Sequence, residues 1–212
     1  MNRPVLKTAS YKTCEPAGPT QHNLRYLRIL LVFISWISHP NPAVFVPLYS
    51  LFIGLDGVDG WLARRLGQTS RFGAWLDVVV DNLGRGMLWS QVWQLGWLVS
   101  AMEWCVFVCN HAAKGEQWKN SFNSSPPIIR AIMANGLRTP LGLWVAGGLH
   151  CLPLWLYGGQ KGLLSSWLLM PHWAQVLGTV LLAAGRVLAL RVEIWCVWMH
   201  IHHLSSGVEK DD

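Results

Sequence analysis

Long apolar runs alternate with short polar breaks along almost the whole chain. The runs fall at approximately 25–38, 43–64, 72–95, 97–111, a fifth that ends at 156 and begins at either 128 or 138, and 174–200. Most are long enough, as helices rising about 1.5 Å per residue, to cross a bilayer whose hydrocarbon core is about 30 Å thick. The breaks carry helix-stopping chemistry, His-Pro-Asn-Pro at 39–42 and the polar run KGEQWKNSFNSSPP at 114–127. The pattern predicts an all-α fold, a polytopic membrane bundle of six transmembrane helices forming one domain over 22–203. Residues 1–21, with Lys7, Lys12, Glu15 and Pro16, read as a disordered cytoplasmic tail, and 204–212 as a polar C-terminal tail. The segment 157–173 reads either as a luminal loop or as an interfacial helix with its tryptophans at headgroup depth.

Composition agrees with that class. Of 212 residues 52% are hydrophobic and 13% charged, with a mean hydropathy of +0.29, which sets the chain apart from an ordinary soluble enzyme. The net charge of +6 is concentrated in a few loops and at the N-terminus, which suits anionic lipid or phosphate better than nucleic acid. Arg25 and Arg28 mark the start of the first run as cytoplasmic under the positive-inside rule. Cys14, Cys105, Cys109, Cys151 and Cys196 are an odd set, mostly inside apolar runs, and read as packing residues rather than a disulfide framework or a zinc site.

One stretch breaks the apolar pattern. Between Leu55 and Gly84 stand four carboxylates, Asp56 and Asp59 three apart and Asp77 and Asp81 four apart, so each pair shares a helix face. Gly60, Gly67 and Gly73, with Arg64, Arg65, Arg71, Thr69 and Ser70, lie among them and suit a polar turn joining two helices. Converging carboxylates in an apolar setting need a cation among them. All-oxygen ligation favours magnesium or manganese over zinc. The interleaved arginines argue against a merely solvated acidic helix end. Such a cluster can bind a pyrophosphate and support in-line attack at phosphorus, with one edge carboxylate taking the proton of an attacking hydroxyl. Gly60 and Gly73 leave room for a polar ligand near the backbone, and Arg64 offers a forked phosphate donor.

The stretch reads D-x-x-D-G-x-x-A-R, eight residues, then G-x-x-x-D-x-x-x-D, filled by Asp56, Asp59, Gly60, Ala63, Arg64, Gly73, Asp77 and Asp81. This resembles the signature of the class I CDP-alcohol phosphatidyltransferases. The resemblance extends to the inositol-using branch of that family. HNLRYLRI matches a first-helix P-N-L-x-x-x-R-I pattern at Asn23, Leu24, Arg28 and Ile29. QTSRFGAWLD matches Q-G-T-R-F-G-A-x-L-D at Gln68, Arg71, Phe72, Gly73, Ala74, Leu76 and Asp77, and LRTP at 137–140 is similar to that branch's S-R-P. What the resemblance implies is a six-helix membrane domain, often dimeric, in the endoplasmic reticulum membrane with its site facing the cytoplasm. It would move a phosphatidyl group from CDP-diacylglycerol to an alcohol, myo-inositol first among them, releasing CMP. Asp56, Asp59, Asp77 and Asp81 would hold two magnesium or manganese ions, Asp81 would also accept the proton, and Gly60, Arg64, Ser70 and Gly73 would contact CDP-diacylglycerol. Thr139 between Arg138 and Pro140 departs from the branch's pattern and bears on the acceptor side.

Lys119 and Arg138 are candidates for the acceptor, on their expected cytoplasmic position alone. Glycerol 3-phosphate, phosphatidylglycerol, serine, or a CDP-choline and diacylglycerol pair remain alternatives, as do a non-catalytic membrane protein of this fold and a transporter using Asp77 and Asp81 as a proton relay. Arg186, Arg191 and Glu193 in the last run predict a face turned into the bundle, with Arg186 and Glu193 sharing one side of the helix in an internal ion pair.

Overall fold

Proline and asparagine set the first corner. The computed structural model describes residues 19–65, 71–114, 122 and 125–207, although the side chains of 19–25, 59–61, 63, 64, 71, 112–114, 206 and 207 lie outside the description. In the His39–Asn41 turn the Asn41 side chain accepts from the Ala43 N–H at 3.1 Å, capping the next helix, and Pro42 occupies its first position. Helix α1 (Pro19–Ser38) thereby turns back along α2 (Pro42–Arg65).

The remaining elements are α3 (Arg71–Val92), α4 (Gly96–Lys114), the short α5 (Pro127–Met133) with a 3-10 turn at Ala134–Gly136, α6 (Pro140–Gln160), the one-turn α7 (Leu163–Ser166) and α8 (His172–Gly207). Among the described residues the fold is all-helical, with six long helices. The expected fifth run divides: α5 and the turn take its first part, and α6 begins at Pro140, where Thr139 accepts from the Gly142 N–H at 3.1 Å. Left-handed Asn135, Gly136 and Leu137 force that break. The ambiguous 157–173 segment resolves into the end of α6 and α7, and α8 runs seven residues past the expected 200. The expected tails 1–21 and 204–212 lie mostly outside the described residues.

The long helices close into a ring in the order α1, α2, α6, α8, α4, α3, with α3 and α6 also touching across it. The α6–α8 crossing is tight. A Cβ added to Gly148 would meet the Arg186 nitrogen at 2.5 Å, and one on Gly185 would meet the Trp144 carbonyl at 2.8 Å, so only glycines permit it. At one end of the ring two hydrogen bonds join distant helices: the Tyr157 hydroxyl donates to the His39 carbonyl at 2.9 Å, and the Gln160 amide donates to the Val92 carbonyl at 2.9 Å.

Two apolar cores result. One, with Leu31, Val32, Phe45, Phe52 and Leu88, joins α1, α2 and α3, and the other, with Ile129, Ile132, Met133, Val145 and Ala189, joins α5, α6 and α8. Between them runs a buried polar seam, while large apolar side chains such as Leu30, Ile37, Val180, Val187 and Ile194 face outward.

Candidate active site

Helical spacing delivers three of the four acids to one point. Asp77 and Asp81 share a stripe of α3, and Asp56 on α2 faces them, so that a carboxylate oxygen from each lies within 4.8 Å of the others. The cluster lies about two turns in from the end of the ring where α2 finishes and α3 begins. Asp56 and Asp77 are about one-third exposed, at 31% and 36%, whereas Asp81 at 15% closes the inner end. Gly73 is buried in the first turn of α3. Asp59, Gly60 and Arg64 lie on α2 with side-chain positions outside the description, and Ser70 and Lys119 lie outside the described residues altogether. Arg138 is exposed and immediately precedes Thr139, the cap of α6.

The structure also places among the acids a residue that the chain pattern marks as a cytoplasmic-end arginine and as part of the first-helix pattern, but not as a partner of the acids. Arg28 of α1, 1% exposed, bonds the Asp77 carboxylate through Nη1 and reaches Asp81 at 2.5 Å and Asp56 at 2.9 Å through Nη2. Its guanidinium also lies over the Phe52 ring, 5.3 Å from the centroid. The available signal was an arginine well inside an apolar run, which implies an internal partner.

These residues fit divalent cations. Three carboxylates outnumber the guanidiniums that reach them, Arg28 and, at 4.0 Å from Asp81, Arg85, and every acidic donor atom is oxygen. The open Asp56 and Asp77 side gives a ligand access.

From Asp81 the seam continues inward. Arg85 Nη1 lies 4.0 Å from Asp81, its Nε donates to Glu103 of α4 at 2.8 Å, and its Nη2 donates to Asn82 at 2.5 Å. Glu103 in turn lies 3.6 Å from Arg186 Nη2, and Arg186 donates to Glu193 at 3.0 Å. The expected Arg186–Glu193 pair is thus present, whereas Arg191 on the same helix faces outward. Glu103, which no chain pattern singled out, joins the two arginines. A single acid in an otherwise apolar run was the signal for it.

Comparison with known proteins gives the cluster a context. Residues 23–114 match the family described as CDP-alcohol phosphatidyltransferase. The chain is similar to a CDP-diacylglycerol-inositol 3-phosphatidyltransferase of Schizosaccharomyces pombe, 48% identical over 60 residues that cover 28% of this chain and 24% of that protein. It is 41% identical over 64 residues to CDP-diacylglycerol-inositol 3-phosphatidyltransferase 1 of Arabidopsis thaliana, covering 30% and 28% of the two chains. The matched stretch therefore spans about a quarter of the length of these two relatives. A CDP-diacylglycerol-glycerol-3-phosphate 3-phosphatidyltransferase of Blochmanniella floridana is 23% identical over 193 residues, 86% of this chain and 89% of that protein. No solved structure matches the chain.

Proposed function

We propose, from the premise that residues 23–114 carry a CDP-alcohol phosphatidyltransferase domain, that the protein transfers the phosphatidyl group of CDP-diacylglycerol to myo-inositol, forming phosphatidylinositol and CMP. The observation that carries this reading is the convergence of Asp56, Asp77 and Asp81, with a net negative charge, inside the stretch that matches the family. The inositol-named relatives supply the acceptor.

In this reading the acceptor hydroxyl oxygen bonds to the phosphorus that carries diacylglycerol. The bond from that phosphorus to the CMP phosphate breaks, CMP leaves with the electron pair, and the hydroxyl proton passes to Asp81. Asp81 suits this role because it sits at the inner edge of the cluster, beside Arg85. Asp56, Asp77, Asp81 and Asp59 would hold two magnesium or manganese ions, which when bound neutralise the pyrophosphate and polarise its phosphorus. Gly60, Arg64, Ser70 and Gly73 hold the CDP-diacylglycerol, with Arg64 as its forked phosphate donor. Arg28 keeps the carboxylates converged.

The site sits in a membrane bundle in which α1–α4, α6 and α8 are the six spans. Polar groups inside and apolar groups outside support this: Arg28, Arg85, Glu103, Arg186 and Glu193 are buried while Leu30, Ile37, Val180 and Ile194 are exposed. By length and composition Pro140–Gln160 is apolar enough to cross a bilayer. Arg25, Arg28, Arg64, Arg65 and Arg71 gather at the end nearest the acids, so that end faces the cytoplasm, in the endoplasmic reticulum membrane.

Purified protein given labelled CDP-diacylglycerol and an acceptor panel tests the assignment. Phosphatidylinositol and CMP are expected, abolished by EDTA and restored by manganese or magnesium. Product with glycerol 3-phosphate or serine and none with inositol would overturn it in favour of the reaction named for the Blochmanniella relative or a sibling.

A further inference from the structure

We infer that Glu103 is a positioning residue for the acidic cluster: from α4 it draws the Arg85 guanidinium off Asp81, and so keeps the acids open to divalent cations. The inference rests on the reading of Asp56, Asp77 and Asp81 as ligands for magnesium or manganese.

Arg85 stands one helical turn after Asp81 on α3, the spacing at which an arginine ordinarily pairs with a carboxylate. Here it is pulled the other way. Its Nε donates to Glu103 at 2.8 Å, its Nη2 donates to Asn82 at 2.5 Å, and its Nη1 lies 3.3 Å from His150 Nδ1 of α6. That leaves Nη1 4.0 Å from the Asp81 carboxylate, the outer limit of an ion pair, whereas Arg28 reaches the same carboxylate at 2.5 Å. Two guanidiniums face one cluster, and one of them is held back.

A buried guanidinium needs a carboxylate, and Arg85, 5% exposed, has few to choose from. On its other side opens a cavity of about 690 Å³ between α3, α4, α6 and α8. The one further acid among the described lining residues, Glu193, is bonded to Arg186 at 3.0 Å. Glu103 lies 3.6 Å from Arg186 and 2.8 Å from Arg85, so Arg85 is its nearer partner. Within the seam Arg85 and Arg186 stand against Glu103 and Glu193, and the charges balance. Without the charge of Glu103, the carboxylate left for Arg85 is Asp81, one turn away. A second guanidinium would then join Arg28 among three carboxylates, and a positive charge seated there opposes the entry of another cation.

Manganese binding to the full chain purified in detergent, read from the electron paramagnetic resonance signal of the free ion, tests this without turnover. Asp77→Asn identifies the binding that belongs to the cluster. Expected in Glu103→Gln is a Kd for manganese raised at least about tenfold, the effect of one added charge at contact distance in a partly screened site. Arg85→Gln should bind manganese at least as tightly as the native protein. The double variant should bind like Arg85→Gln, because with the guanidinium gone Glu103 has nothing to restrain. The rise in thermal midpoint on adding manganese should follow the same order.

An unchanged Kd in Glu103→Gln would overturn the inference. So would a double variant as weak as Glu103→Gln alone, since that pattern means packing and not restraint of Arg85. Should Glu103→Gln fail to fold, Arg85→Gln and the double variant decide: native-strength binding in both upholds the inference, and weakened binding in either sinks it. A native protein without Asp77-dependent manganese binding would remove the metal reading and the inference together, whereas native binding that Glu103→Gln leaves unaltered removes the inference alone.

Discussion

Arg28 has a different task from the other arginines of the polar end, and that difference is testable. A fully buried guanidinium among three carboxylates acts as an internal counter-cation, and removing one partner of such a set costs about 3–5 kcal/mol when the rest stays buried. Arg28→Gln should therefore lower the thermal midpoint strongly in EDTA and much less in manganese, because a bound ion can replace the lost charge. An equal loss in both buffers would show that Arg28 serves packing alone. Asp81→Asn should reduce CMP release by about 10²–10⁴-fold, the usual worth of a general base, while the protein still elutes as a folded species. Retained turnover in that variant would move the base elsewhere. The acids were legible in the chain, since spacings of three and four put each pair on one face. Arg28 and Glu103 were not, because a single ionisable residue in an apolar run announces that it has a partner without saying which helix supplies it.

At the scale of elements, the α6–α8 crossing decides where the polar seam ends. A Cβ on Gly148 would sit 2.5 Å from the Arg186 nitrogen, whereas a Cβ on neighbouring Gly147 would meet nothing within 4 Å. Gly148→Ala should cost about 1–3 kcal/mol through overpacking. It should also loosen the register of Arg186 and Glu193, while Gly147→Ala should be near neutral. Thermal unfolding of the two variants in one detergent makes the comparison, and equal midpoints would deny the close crossing. The long helices were readable from the apolar runs to within a few residues at most ends. For the fifth run two starts stood open, 128 and 138, and the left-handed turn at Asn135–Leu137, which holds an Asn-Gly dipeptide, gives the long helix α6 the later one.

For the whole molecule, among the described residues, a seam of buried ionisable groups lies between two apolar cores while large apolar side chains such as Leu30, Ile37, Val180 and Ile194 face outward. Alkaline carbonate washing of membranes that contain the protein should leave it in the pellet, and its release into the supernatant would contradict the six-span reading. Chain pattern alone determined that this is a helical, largely apolar protein with an acidic oxygen-donor cluster between its second and third helices. It could do so because hydrophobic runs and helical spacing are local properties. Only the tertiary structure decided that Arg28 closes the cluster and that Asp81, Arg85, Glu103, Arg186 and Glu193 form one seam beside a cavity. Periodicity specifies a face of each helix, but the rotation and axial offset that bring two faces together are set by contacts distant in sequence, such as Gly148 against Gly185 and Tyr157 against His39.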